Sequence, residues 1–148
     1  CSAPQEKSPQ PGLFYVVTRV SDGDTFWCDD GSPKGLKVRL IGIDAPESQK
    51  TRYEEVQYYG REAKEYLTGL ISGKKVRLEY DAGRKDKYGR TLAYVYLDNG
   101  TFVNAEMLKN GYANLMTVPP NVKYVELFTK LQTEARTNRR GMWKGIEN

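Results

Sequence analysis

The chain has 148 residues, 39% of them hydrophobic and 28% charged, with 23 Lys and Arg against 19 Asp and Glu for a net charge of +4. A chain of that size builds one hydrophobic core rather than two, and no apolar run in it approaches the roughly 20 residues of a membrane-spanning helix. It has no histidine and only two cysteines, Cys1 and Cys28, which excludes Ser-His-Asp and Cys-His hydrolases, four-cysteine zinc sites and a disulfide framework, and points any metal toward oxygen ligands of the kind calcium or magnesium takes.

Cys-Ser-Ala at residues 1–3, ahead of a stretch rich in Pro, Gln and Lys, resembles a bacterial lipoprotein after signal-peptide removal. On that reading residues 1–12 are a flexible tether, attached to a membrane through lipidated Cys1, and residues 13–148 are the folded domain. The other reading is that Cys1 is an arbitrary start.

Leu13 to Val20, rich in β-branched and aromatic residues, predicts a first strand, halted by Ser21-Asp22-Gly23-Asp24. Thr25 to Cys28 returns as its hairpin partner. After the turn signals of Asp30-Gly31-Ser32-Pro33 and Gly35, Leu36 to Ile43 reads as a third strand that carries Arg39 in a mostly apolar run. The period then changes: Val56, Tyr59, Ala63, Leu67, Leu70 and Ile71 predict an amphipathic helix, with Gly73 as its stop. Val76, Leu78 and Tyr80 alternate with Arg77 and Glu79 in a fourth strand, and Arg90 to Leu97 forms a fifth across the loop 81–89. A short helix around Val103, Met107 and Leu108 ends at Asn110-Gly111, and a longer one buries Tyr124, Phe128, Leu131 and Ala135. Five short strands with a helix between the third and fourth is the order of a five-stranded OB-fold barrel, here mainly β with three α-helices (α+β). Fold alone names no activity.

Three constellations carry chemistry. Asp22-Gly23-Asp24-Thr25 is a preferred hairpin turn with a second carboxylate beyond it, which serves either as a turn or as a hard-cation site. In Arg39-Leu-Ile-Gly-Ile-Asp44-Ala45-Pro46-Glu47, an Arg in an apolar strand must find an anion, and a carboxylate pair follows. Strict alternation puts Arg39 and Asp44 on opposite faces, so a shared site requires a bulge or turn, for which Gly42 is the candidate; a plain buried ion pair is the competing reading. Asp86-Lys87-Tyr88-Gly89-Arg90 crowds a guanidinium, an ammonium and a phenol into one turn, which suits phosphate recognition or an ordinary solvated loop. Together the three supply the carboxylates, base and cations that phosphodiester hydrolysis uses.

In order and spacing, Asp-Gly-Asp-Thr at 22–25, Arg-Leu-Ile-Gly-Ile-Asp-Ala-Pro-Glu at 39–47, Asp-Lys-Tyr-Gly-Arg with Leu-Ala-Tyr at 86–94, and the terminal Gly-Met-Trp closely resemble staphylococcal nuclease-like proteins from about residue 14 to 143. The resemblance implies a calcium-dependent nuclease that cuts DNA and RNA and leaves 3′-phosphate products; because its site residues address phosphate and metal rather than base edges, no sequence specificity is expected, and a site recessed on a barrel face favours single strands. It implies Asp24, Asp44 and the main-chain carbonyl of Ala45 as Ca2+ ligands, Glu47 as general base, and Arg39 and Arg90 as the catalytic, phosphate-binding arginines. Lys87 and Tyr88 would contact a terminal phosphate of the substrate, and Asp22 would stand near the ion. A monomer, secreted or held at the cell envelope, is expected.

Two departures from the family pattern stand out: Ala45 replaces a Thr whose hydroxyl helps order water at the metal, and Thr117-Val118-Pro119-Pro120 replaces two tyrosines that line the nucleotide pocket. Alternative functions are a catalytically silent OB-fold module that binds nucleic acid or protein, for which lost carboxylates or arginines would be the signature, and an envelope structural protein tethered through Cys1.

Overall fold

A computed structural model describes residues 13–48 and 58–145. The tether at 1–12 with its Cys1 anchor, and Val56 of the predicted helix, lie outside the described residues.

Strands β1 (Phe14–Asp22), β2 (Thr25–Cys28), β3 (Leu36–Leu40), β5 (Lys75–Glu79) and β6 (Thr91–Leu97) close into a barrel in the order β1-β2-β3-β6-β5. Neighbours pair antiparallel except β3 with β6, which run parallel. This is the OB-like α+β barrel that the strand order predicts. Inward residues such as Val17, Phe26, Val38, Leu40, Val76, Leu78 and Val95 fill it and are buried, and each apolar side chain so buried is worth about 1.5–3 kcal/mol before entropy is counted.

Three helices surround the barrel. α1 (Gly60–Ile71) packs on β1 through Ala63, Leu67 and Ile71; α2 (Val103–Lys109) packs on β6, and α3 (Val125–Thr137) on α2. Asn104 of α2 is fully buried, and its side chain makes up for the backbone groups it covers: it accepts from Val95 N at 2.8 Å and donates to Ile41 O at 2.9 Å and Ala93 O at 3.3 Å. A 3-10 turn at Gly141–Gly145 ends the described chain.

The predicted third strand, Leu36 to Ile43, is broken. β3 stops at Leu40, the chain reverses at Ile41-Gly42, and Ile43–Asp44 forms a separate strand β4 that pairs with β7 (Asn114–Leu115). Gly42 holds φ +85°, open to glycine at little cost, and the ring of Phe128 lies where its side chain would be. Apolar content runs through both halves of the run, so periodicity reads them as one strand. The two-residue strands β4 and β7 are too short for any sequence pattern.

Candidate active site

The hairpin joining β1 and β2 contains two irregularities. Register slips between Val17 and Arg19, and again between Val20 and Asp22, so Thr18 and Ser21 are extra residues facing an uninterrupted β2. Such bulges re-aim the side chains that follow. The turn itself is not the left-handed type that Asp-Gly favours, since Gly23 has no positive φ. Its glycine is required by close approach instead: a Cβ there would lie 2.7 Å from that of Ala45 and 2.8 Å from that of Ala63. The turn is thereby wedged between the Ala45 loop and α1.

Asp24 is buried at 6% exposure, and each of its oxygens is engaged. Oδ1 accepts from the Thr25 hydroxyl at 2.9 Å; Oδ2 accepts from Ala45 N at 2.9 Å and faces Arg39 Nη2 at 3.4 Å. Arg39 stands opposite Thr25 across β2 and β3. Its Nη1 donates to the carbonyls of Leu40, at 2.7 Å, and Ile43, at 2.8 Å, while Nη2 reaches Asp44 Oδ1 at 3.3 Å. The reversal at Gly42 thus brings Asp44 to the same side as Arg39, as a shared site demands. One guanidinium ties Asp24, Asp44 and the two carbonyls of the corner into a single unit.

Asp22 and Glu47 complete an acidic group. Burial, and after it the charges of Asp24 and Glu47, push the Asp22 carboxyl up to about 6, despite the N–H that Gly23 donates to it. Glu47 is half-buried, and its main chain lies against Gly60 at the start of α1. Among the described residues no three acidic, His or Cys side chains form a ready-made metal cage. Two carboxylates, Asp24 and Asp44, with a main-chain carbonyl and water, would be an all-oxygen set suited to a hard divalent cation.

Arg90 begins outside β6 rather than within it. Asp86 holds it: Oδ1 accepts from the N–H groups of Tyr88 and Arg90, both at 2.9 Å, and Oδ2 from Arg90 Nε at 2.6 Å. The pair uses Nε, which a phosphate gripped at the two terminal nitrogens does not need. Lys87 and Tyr88 are exposed on the same turn, and both Lys87 and Arg90 lie within cation–π range of the Tyr88 ring, at 5.3 and 5.5 Å.

A cleft of about 450 Å³ joins Arg39 to the Asp86–Arg90 turn. Arg39, Lys87, Tyr88 and Arg90 line it, with Met116 and the 118–121 segment as its far wall. The carboxylates of Asp22, Asp24, Asp44 and Glu47 do not line it; Asp24 and Asp44 meet it through Arg39. The wall is fastened by Asn121, whose side chain accepts from Gly83 N at 2.6 Å and donates to Gly83 O at 3.0 Å. Thr117 to Pro120 contains no aromatic ring, so that stretch of the wall offers Val118, Pro119 and Pro120 where the family pattern has two tyrosines. Sequence reasoning missed Asn104, Asn121 and the clamping role of Asp86. Of these only Asn104 leaves a trace, as a polar residue within the apolar stripe of α2.

The chain matches the family model described as staphylococcal nuclease homologue over residues 37–145. It is 44% identical over 134 residues to the thermonuclease of Staphylococcus intermedius, covering 90% of this chain and 77% of that protein. To the Staphylococcus hyicus thermonuclease it is 43% identical, over 87% of this chain and 75% of the other. Endonuclease YncB of Bacillus subtilis is 37% identical across 95% of this chain and 66% of its own length. With the barrel closed in the expected order and the arginine corner built on the matched segment, the chain belongs to the staphylococcal nuclease family.

Proposed function

We propose that this protein is a calcium-dependent nuclease that hydrolyses phosphodiester bonds of DNA and RNA without sequence specificity. What carries the reading is the corner where Arg39 ties Asp24 to Asp44 beside a cleft that also holds Arg90. The thermonuclease and endonuclease relatives support it.

Asp24, Asp44 and the carbonyl of Ala45 would hold Ca2+, which when bound neutralises phosphate charge and orders water. Glu47 takes a proton from the attacking water at a carboxylate oxygen as that water adds to phosphorus in line. Arg39 and Arg90 donate to the equatorial oxygens as charge builds there, a contribution of about 3–4 kcal/mol for each such donor. Lys87 and Tyr88 hold a neighbouring phosphate. The 5′ oxygen leaves, giving a 3′-phosphate product. These groups address phosphate rather than base edges, which leaves sequence unread, and a recessed cleft favours single strands. The protein acts as a monomer, outside the cell or at its envelope.

The test is hydrolysis of heat-denatured DNA with calcium on the order of 10 mM, above the range of weak oxygen-ligand sites, beside an EGTA control and a Glu47→Gln variant. Cleavage that requires both calcium and Glu47 supports the reading. Binding without cleavage would replace it with a silent nucleic-acid module.

A further inference from the structure

Across β1, β2 and β3 the cross-strand partners Arg19, Trp27 and Lys37 form one row. The bulge at Thr18 sets this alignment, since without the extra residue Thr18 would stand opposite Trp27. The Arg19 guanidinium lies 5.3 Å and the Lys37 ammonium 5.7 Å from the Trp27 ring centroid. Neither cation has a carboxylate partner among the described residues. The nearby acids of the β2–β3 hairpin serve its turn instead: Asp29 accepts from Gly31 N, and Asp30 from Ser32 N and Oγ.

The row lies on the outer face of the barrel, because Phe26, Cys28, Val38 and Leu40 take the inner positions and are buried. Lys37 precedes Arg39 by two residues on β3, which puts both on that outer face with their α-carbons about 6.6 Å apart. A line of positive charge thus leaves the cleft at Arg39, steps to Lys37 and crosses Trp27 to Arg19. Trp27 is half-buried, with its indole N–H buried and unpaired among the described residues. An unpaired N–H costs stability, and the ring serves as a platform that holds two otherwise flexible cations in place.

We infer that Arg19 and Lys37, seated on Trp27, bind successive phosphates of a single-stranded nucleic acid that continues past the cleft. This rests on the nuclease reading and extends it, by making affinity depend on strand length. A cationic groove that tracks the backbone beside an aromatic surface is a known solution for single strands, and stacked cations lose less freedom on gripping phosphate than free ones.

The experiment compares the wild type, Arg19→Gln/Lys37→Gln, Trp27→Leu, and a charge-matched control, Lys109→Gln/Lys130→Gln on α2 and α3. Binding of a labelled oligothymidylate of about 12 nucleotides is followed by anisotropy in EGTA, and cleavage of that oligomer and of a thymidine dinucleotide is followed in calcium. For Arg19→Gln/Lys37→Gln, Kd and KM for the oligomer should rise about tenfold, with the salt dependence of log Kd falling by about 1.4 for two lost contacts. Dinucleotide kinetics should match the wild type. Trp27→Leu should weaken oligomer binding in the same direction. Oligomer binding unchanged in the double variant, or weakened only as much as in the control, overturns the row. A wild type that binds the oligomer but cleaves neither substrate overturns the nuclease reading alone, and the anisotropy comparison still decides the row.

Discussion

Gly60 lies directly against the main chain of Glu47. A methyl group at Gly60 would overlap the Glu47 carbonyl oxygen and sit 2.6 Å from the carbonyl carbon, with the Ser48 α-carbon at 3.0 Å. Because these are backbone atoms, nothing swings aside, and the first turn of α1 sets where the Glu47 segment runs. Gly60→Ala is expected to shift Glu47 and lower kcat about 10- to 100-fold, the scale of an ångström-sized misplacement. In a Glu47→Gln background the same change should cost no further activity. Equal losses in both backgrounds would mean that Gly60 acts on stability alone.

Gly42 presents a second forced glycine. With φ at +85° and the Phe128 ring 2.5 Å from where a β-carbon would stand, Gly42→Ala meets both backbone strain and an aromatic side chain. A loss of about 1–3 kcal/mol is expected, of the size that overpacking brings. Calorimetry would register it as a lower Tm. Activity should fall more than stability does, since the same corner brings Asp44 to Arg39. Phe128→Leu, which makes room for the methyl, should recover part of both.

Much of the barrel was legible in the sequence because its inward residues obey one period. Val76, Leu78 and their alternating partners read as a strand without reference to anything distant, as does the helical spacing of Ala63, Leu67 and Ile71. The family motifs named Arg39, Asp44 and Arg90, and even the need for a turn between the first two followed from counting faces. What did not follow depends on contacts between distant segments. Gly23 is small because Ala45 and Ala63 arrive from elsewhere, and Asn121 matters because it meets Gly83, 38 residues away. No local pattern encodes such pairs.

The Asp86 clamp predicts a pH dependence. Burial pulls its carboxyl up, but the Arg90 N–H, the Arg90 guanidinium and the Tyr88 N–H outweigh this and hold it below its ordinary value of 3.8. A carboxyl depressed in the folded state binds its proton more readily when unfolded. Its stabilisation is therefore complete above about pH 4 and fades as the pH falls through the lower folded value. Asp86→Asn should remove that part of the acid transition, seen in urea titrations at falling pH. It should also raise KM for nucleic acid at neutral pH by loosening Arg90. An acid limb identical to the wild type would count against the clamp.

Cys28 is fully buried in the barrel, and burial, with Asp30 and Asp29 adding to it, pushes its thiol up to about 12. Reaction requires the thiolate. In a Cys1→Ser protein, Ellman's reagent at pH 8 should leave Cys28 unmodified in the native state and titrate one thiol in guanidinium chloride. Rapid native labelling would contradict the packing around β2.

The buried amide of Asn104 ties a late helix to an early corner. Ile41, whose carbonyl accepts from it, lies 63 residues earlier in the chain, while Val95 lies only 9 away. The corner that follows Leu40, the last residue of β3, therefore has its Ile41 carbonyl capped by a helix that lies far later in the chain. Opening α2 while the barrel persists would return the Val95 N–H and the Ile41 carbonyl to water together. Solvent exchange at Val95 would then track the integrity of the corner, and phosphate recognition would be lost well before the protein unfolds.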